Sequence, residues 1–151
     1  MVPCIRAVNA FKRMKIMLTE EHKKALSSLG VATLYHYGSR ARGVARERSD
    51  YDVGVVFTDP ADADEMQKYL RVYEVLSEVI PDTLNGPKLD IALLQSANAK
   101  LQLDAINYGK VIFDGNARVR ADYEERVLKL YDDYRFLQKE YEEANFTAFR
   151  A

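Results

Sequence analysis

The stretch Gly38-Ser39-Arg40-Ala41-Arg42-Gly43 is followed, after a short connection, by Ser49-Asp50-Tyr51-Asp52, and these two segments decide the fold. Residues 51 to 57 are rich in β-branched and aromatic side chains and precede Thr58-Asp59-Pro60, so they predict a strand. Side chains two positions apart on a strand share a face. Asp50 and Asp52 are therefore expected to lie together, and the opposite face receives Tyr51, Val53, Val55 and Phe57.

Two neighbouring carboxylates repel each other unless a positive charge lies between them. Mg²⁺ is the natural candidate, because it prefers a few carboxylate oxygens completed by water and substrate phosphates. Gly54 is the next residue on the acidic face, where it leaves room either for a ligand or for close backbone packing.

A second strand is predicted over Val31–Tyr37, ending at Gly38 and Ser39 before a short helical stretch from Arg40 onward. A glycine at this corner lets the backbone approach a phosphate, and the start of a helix offers unpaired N–H groups. The Ser39 hydroxyl is expected either to donate to an oxyanion or to cap the helix. The favoured phosphate ligands are Arg40 and Arg42, whereas the remaining arginines of this region are expected to be solvated, namely Arg46 and Arg48.

A third acid is placed by the segment Lys88–Leu94, which follows the turn-like Asn85-Gly86-Pro87. Its alternation directs Leu89, Ile91 and Leu93 to a core and Asp90 to the opposite side. If this strand pairs beside the first acidic strand, Asp90 joins Asp50 and Asp52. Such a trio is suited to two metal ions, one activating an attacking hydroxyl and the other stabilising leaving pyrophosphate. Asp90 would bind the first ion or accept the hydroxyl proton.

The spacing of these motifs resembles the DNA polymerase beta-type nucleotidyltransferase superfamily. Gly38-Ser39, ten intervening residues and Asp50-Tyr51-Asp52 carry the resemblance, together with Asp90 in a later hydrophobic strand. Within that superfamily, the motifs and small size are similar to the minimal nucleotidyltransferases, the MntA-like antitoxins encoded beside HEPN-domain RNase toxins. The resemblance covers roughly residues 31 to 115, and more weakly the last helix.

The resemblance implies an antitoxin that uses Mg²⁺ to transfer AMP from ATP to a tyrosine of its HEPN toxin. Family roles carry over to Gly38 and Ser39 for nucleotide phosphates, and to Asp50, Asp52 and Asp90 for metal and catalysis. Arg40 differs from the phenylalanine often found at that place, whereas Arg42 matches. Two alternatives remain open: a small hydroxyl acceptor such as an aminoglycoside, or an antitoxin that binds its partner without turnover.

Composition limits the class of protein. The 151 residues, 48% of them hydrophobic, suffice for one domain over 1–151. The resemblance implies a catalytic core over about 31–115. A net charge of -1 gives no electrostatic footprint for stable nucleic-acid binding. One cysteine, Cys4, and two histidines, His22 and His36, do not give the ligand pattern of a zinc site. Because a single cysteine cannot form an internal disulfide, the sequence favours a reducing, cytoplasmic setting. No signal peptide or membrane span is apparent.

The remaining elements predict an α+β domain, a small mixed sheet with helices packed mainly on one face. Residues 1–17 form either a short amphipathic helix or a tail produced by an upstream start codon. The later predicted elements are a helix from Thr19 to Gly30, a helix over Asp62–Ile80, a helix over Ala97–Asn107 capped by Ser96, and an edge strand over Lys110–Phe113. The apolar stripe expected on the second helix consists of Met66, Tyr69, Leu70, Tyr73, Leu76 and Ile80.

A final helix over about 117–145 carries apolar residues alternately four and three positions apart, which favours packing against another helix. Tyr131 is expected to lie off this seam. Either the seam covers the protein's own sheet or first helix, or its distal half docks on a partner and forms a hetero-oligomer. The seam residues are Tyr123, Val127, Leu130, Tyr134, Leu137 and Tyr141.

Overall fold

The computed structural model describes residues 16–45, 49–80 and 88–150, and these form one four-stranded sheet with helices. The predicted N-terminal segment falls largely outside the described residues, as do Arg46 and Arg48 and the turn at residues 85–87. In chain order the elements are α1 (Glu20–Ser28), β1 (Val31–Tyr37), α2 (Gly38–Ala41), β2 (Tyr51–Phe57), α3 (Met66–Ser77), β3 (Leu89–Leu93), α4 (Ala99–Tyr108), β4 (Lys110–Asp114) and α5 (Ala117–Phe149).

The sheet is mixed, with the strand order β3-β2-β1-β4. Strand β1 is antiparallel to both β2 and β4, whereas β2 and β3 are parallel. The four strands predicted from the sequence are confirmed, including the position of β4 at an edge. The pairing that Asp90 needs in order to join the other acids is present, because β3 lies directly beside β2.

The predicted α+β class is confirmed, but the helices cover both faces of the sheet rather than mainly one. Alternate residues of β2 explain this, because Tyr51, Val53, Val55 and Phe57 join one apolar cluster with residues of α1 and α3. Val56 joins a second cluster with residues of α4 and α5. The inward face of each amphipathic helix thus meets one side of the pleated sheet.

The helix predicted over Asp62–Ile80 is shorter than expected. A 3₁₀ segment occupies Pro60–Asp64, and α3 begins at Met66. The predicted stripe is also wrong in part, because Met66, Leu70 and Tyr73 are exposed while Val72 and Leu76 are fully buried. The hydrophobic residues of this helix surround more than one face, so periodicity alone selected the wrong one.

The other helix boundaries differ by small amounts. Thr19 caps α1 in a capping box completed by His22, so the predicted start of this helix is confirmed. Asn98, rather than Ser96, caps α4, because a short 3₁₀ turn over Leu94–Ser96 intervenes. The second histidine, His36, lies buried in β1 and stacks on Tyr51.

Helix α5 has 33 residues, a length of about 50 Å, and only its first part packs on the domain. Tyr123 and Val127 are buried, and the Tyr123 hydroxyl donates a hydrogen bond of 2.8 Å to Gln102 Oε1 on α4. Tyr131, expected off the seam, packs at the edge of this cluster. Every residue from 132 to 149 is exposed.

No helix within the described ranges combines the length and apolar character that crossing a bilayer requires.

Candidate active site

Three polar side chains form a row across three adjacent strands, at the end of the sheet where β1 ends and β2 and β3 begin. Tyr37 on β1 is the register partner of Asp52 on β2, and Asp52 is in turn the register partner of Asp90 on β3. Partners in adjacent strands point to the same face, so the phenol and the two carboxylates lie side by side. Asp50 precedes β2 in an exposed position, two residues from Asp52. The structure therefore brings together the strand positions that carry the predicted acids.

The electrostatic environment of Asp52 shows that these acids affect one another. Burial, followed by the charges of Asp90 and Asp50, raises the pKa of Asp52 to about 6. Burial and the charges of Asp52 and Asp90 likewise raise the pKa of Tyr37 to about 12. A half-buried carboxylate with two carboxylate neighbours is destabilised when ionised, and a bound cation would relieve that repulsion.

Gly38 makes close approach to Asp52 possible. Its backbone has φ of 78°, a conformation that residues with a side chain rarely adopt. A Cβ atom at this position would overlap Asp52 Oδ2 and lie 3.0 Å from Asp52 Cγ. Position 38 thus requires glycine both for its backbone conformation and for the space that the Asp52 carboxylate occupies.

The corner after β1 is tighter than predicted. Helix α2 begins at Gly38 and ends at Ala41, with Tyr37 at the N-cap position. Ser39 consequently lies inside the helical turn, so its expected capping role is wrong. Within the described residues the Ser39 hydroxyl has no hydrogen-bond partner, which leaves it available to a ligand.

The two favoured arginines differ in their surroundings. Arg40 is buried, its Nε donates a 2.7 Å hydrogen bond to the Ser49 carbonyl, and its guanidinium lies 4.4 Å from the Tyr51 ring centroid. These contacts tie the residues before β2 to the corner after β1. Arg42 is exposed, with its guanidinium 4.2 Å from the ring centroid of Tyr108 at the end of α4. Arg42 is therefore the better placed of the two to reach a ligand.

The donor set of the site suits Mg²⁺, since ionised carboxylates are acceptors only and Mg²⁺ accepts one or two of them together with water and phosphate oxygens. The carboxylates that fit are Asp52 and Asp90, with Asp50 at the rim. Within the described ranges, no group of three or more His, Cys, Asp or Glu side chains is already gathered closely enough to hold a metal ion. The triple metal site therefore stays a prediction.

Two residues of the site were not predicted from the sequence. Tyr37 precedes the glycine corner, and the sequence predicts only a strand there. The alternation of β1 and β2 places its side chain on the acidic face. Tyr108 lies 66 residues after Arg42, and no local pattern signals their contact. Gly54, in contrast, does not leave room for a ligand. The Leu94 side chain fills that space and would lie 2.7 Å from a Cβ atom added at Gly54.

Comparison with known proteins assigns the class that this fold and site define. The family model described as polymerase beta, nucleotidyltransferase matches residues 20–118, and the chain belongs to this family. No curated protein sequence matches the chain.

Several solved structures with the same fold come from toxin–antitoxin complexes. One, a toxin–antitoxin with AMP-PNP, has a chain 18% identical with a TM-score of 0.60, and the match covers 83% of this chain and 98% of that one. A tri-AMPylated HEPN toxin of Shewanella oneidensis in complex with its MNT antitoxin gives 14% identity and a TM-score of 0.54, covering 83% and 96%. The MntA-HepT complex gives 14% identity and a TM-score of 0.54, covering 83% and 97%.

Proposed function

We propose that this protein is an antitoxin that uses Mg²⁺ to transfer AMP from ATP to a tyrosine hydroxyl of a HEPN-domain RNase toxin. The observation that carries the proposal is the row formed by Asp52 and Asp90 beside Gly38, in a chain that belongs to the nucleotidyltransferase family. Similar folds in complexes with AMP-PNP and with an AMPylated HEPN toxin support this donor and this acceptor.

The proposed transfer is a substitution at the α-phosphorus of ATP. A tyrosine oxygen of the acceptor forms a bond to this phosphorus, the bond to the bridging oxygen of the β-phosphate breaks, and pyrophosphate leaves. The phenolic proton is released to a base, and Asp90 is the candidate because it lies on the same face as Asp52. Mg²⁺ held by Asp50, Asp52 and Asp90 would lower the pKa of the attacking hydroxyl and neutralise charge on the leaving group.

The residues around the glycine corner have separate roles in binding the donor. Gly38 carries no side chain that would displace the Asp52 carboxylate, so the donor phosphates can approach the backbone there. The Ser39 hydroxyl donates to a phosphate oxygen. Arg42 adds a cationic contact from the exposed side of the corner. Arg40 is assigned a positioning role, because its hydrogen bond holds the Ser49 carbonyl just before Asp50.

A label-transfer assay tests the proposal. The protein is incubated with ATP labelled in the adenine ring, Mg²⁺ and the product of the neighbouring gene, which the proposal identifies as the HEPN-domain acceptor. Label should appear on the acceptor, and Asp52→Asn should reduce transfer by at least about 10³-fold, since the substitution removes a carboxylate that would hold Mg²⁺ against the reacting phosphates. Asp122→Asn changes an exposed acid on α5 and serves as the matched control. No label on the acceptor, or equal labelling by Asp52→Asn, would contradict the proposal.

A cell-protection assay distinguishes catalysis from simple plugging of the toxin. At equal expression and equal complex formation, Asp52→Asn should fail to protect cells from the toxin. Full protection by this variant would favour a non-catalytic antitoxin.

A further inference from the structure

The distal part of α5 is an apolar surface that the domain does not use. We define the arm as residues 132–149, in which every residue is exposed. Several large apolar side chains lie there or just before it, and Leu137 and Tyr141 are 66% and 69% exposed. An exposed group of large apolar side chains on a soluble protein marks an interaction site.

The exposed apolar residues continue the register of the buried ones. Tyr123 and Val127 are buried on α4 and the sheet, and the same alternation of four and three residues continues through Leu130, Tyr134, Leu137 and Tyr141. We call these last four residues the distal seam. This spacing keeps one stripe facing a second helix over successive turns. The distal seam is therefore shaped for a helix rather than for a flat or irregular surface.

The charges beside the distal seam indicate the kind of helix. Residues 132–143 contain five acidic and two basic side chains, a net charge of -3, in a chain whose total is only -1. Asp133 and Glu140 each precede a seam tyrosine and so flank the contact stripe. Neither forms an ion pair or hydrogen bond within the described residues. Charges at such flanking positions select the partner and its orientation.

A second copy of this chain matches the arm poorly. In an antiparallel pair of arms, the acidic flanks with Asp133 and Glu140 would face each other. In a parallel pair they would face neutral residues, Gln138 and Asn145, and no ion pair would form. Either arrangement also brings two stretches of like net charge together.

We infer that the distal seam docks on a helix of the acceptor protein whose apolar face is flanked by lysine or arginine. This inference rests on the proposed function, because it takes the protein acceptor of AMP as the partner. The arm binds one part of the acceptor and leaves the exposed edge of the acidic site free for its tyrosine.

Titration calorimetry without ATP tests the inference separately from catalysis. The probe is the product of the neighbouring gene, which the proposed function identifies as the HEPN-domain acceptor, titrated with the full-length chain. Leu137→Glu should weaken binding by about 30-fold or more, because it removes a buried apolar contact and introduces a charge. Phe136→Glu is the matched control, since Phe136 is 63% exposed on the same turn but lies off the seam, and it should change binding by less than about threefold.

A charge-reversal variant tests the acidic flank. Asp133→Lys combined with Glu140→Lys should weaken binding by about tenfold and reduce its dependence on salt. Circular dichroism should show unchanged helix content, because all the substituted residues are exposed.

The outcomes separate the docking surface from the reaction. Selective loss of binding in Leu137→Glu supports the inference, even if no label is transferred and the proposed reaction fails. Wild-type binding by Leu137→Glu, or no complex with the wild-type chain, would overturn it. Sedimentation of the isolated chain should show a monomer, and a dimer that Leu137→Glu dissociates would assign the distal seam to a second copy instead.

Discussion

Asp52 holds its carboxylate in a half-buried position beside two other acids and directly against the backbone of Gly38. The ionised form is therefore less stable in the folded chain than in the unfolded chain. An arrangement of this kind lowers folding stability and is typical of a site that binds a cation or charged substrate.

Replacing Asp52 by asparagine should separate stability from activity. We expect Asp52→Asn to raise the free energy of unfolding at pH 7.5, because it removes the repulsion from Asp90 and Asp50. Partial exposure screens this repulsion, so the gain is about 1 to 2 kcal/mol. Urea denaturation measures it, with Asp122→Asn as the control.

The stability gain should depend on pH. The pKa of Asp52 is raised from 3.8 to about 6, so between these values the folded chain binds the proton more tightly than the unfolded chain. The wild type is therefore stabilised as the pH falls from 6 towards 4, and the advantage of Asp52→Asn should shrink over the same window. An advantage that is constant from pH 7.5 to pH 4 would contradict the raised pKa.

Gly38 allows a test that separates backbone strain from loss of space. Gly38→Ala and Gly43→Ala both place a side chain at positive φ, but only the first meets Asp52, whereas an added Cβ at Gly43 has no atom of the described residues within 4 Å. Each substitution should destabilise the fold by about 1 to 2 kcal/mol through strain. Gly38→Ala should in addition lower AMP transfer by at least about 100-fold through displacement of the Asp52 carboxylate. Comparable transfer by the two variants would contradict the role of Gly38.

Tyr108 is expected to position Arg42 through its ring. Tyr108→Leu should raise the KM for ATP about three- to tenfold, because it removes a cation–π contact of about 1 kcal/mol at an exposed site. Tyr108→Phe retains the ring and should behave as the wild type. Steady-state kinetics check both variants, and an equal defect in Tyr108→Phe would assign the effect to the hydroxyl instead.

At the scale of elements, the strands were predictable because their apolar and polar side chains alternate, and this pattern fits only a strand. In β2, Tyr51, Val53, Val55 and Phe57 share a face and Asp52 points away, so register follows once the strands pair. The faces of α3 were not predictable, because its apolar residues surround the helix and contact with the sheet selects Val72 and Leu76.

The site was predictable to the extent that it lies on those strands. Asp52 and Asp90 were placed together by alternation and pairing, and Gly38 by the sharp corner that its position requires. The contact of Arg42 with Tyr108 depends on where the end of α4 meets α2, which the sequence pattern does not specify. Gly54 was ambiguous for a similar reason, because Leu94 reaches it from a turn beyond β3.

The two parts of helix α5 should contribute differently to the free energy of unfolding. Val127→Ala removes a side chain that is 2% exposed and should lower the free energy of unfolding by about 1 to 3 kcal/mol. Leu130→Ala, at a position 50% exposed, should change it by less than about 0.5 kcal/mol. Thermal or urea unfolding of the isolated chain compares them. Equal losses would show that the distal seam packs on the domain after all.

At the scale of the whole molecule, the sheet order and the length of α5 place the two proposed functions at separate locations. Pairing β2 with β3 gathers the acids at the face beside Gly38, and the length of α5 carries an apolar seam beyond the packed domain. A compact catalytic domain with a separate docking helix can bind a protein acceptor without an additional domain. This division links the proposed chemistry to the proposed partner.

Intact-mass measurement of the acceptor tests the central claim most directly. The product of the neighbouring gene, which the proposal identifies as the HEPN-domain acceptor, is incubated with ATP, Mg²⁺ and the wild-type protein, then weighed and fragmented. The account predicts a mass increase by one or more AMP groups, located on tyrosine and absent when Asp52→Asn replaces the wild type. An acceptor that stays unmodified while it binds the wild-type protein would contradict it.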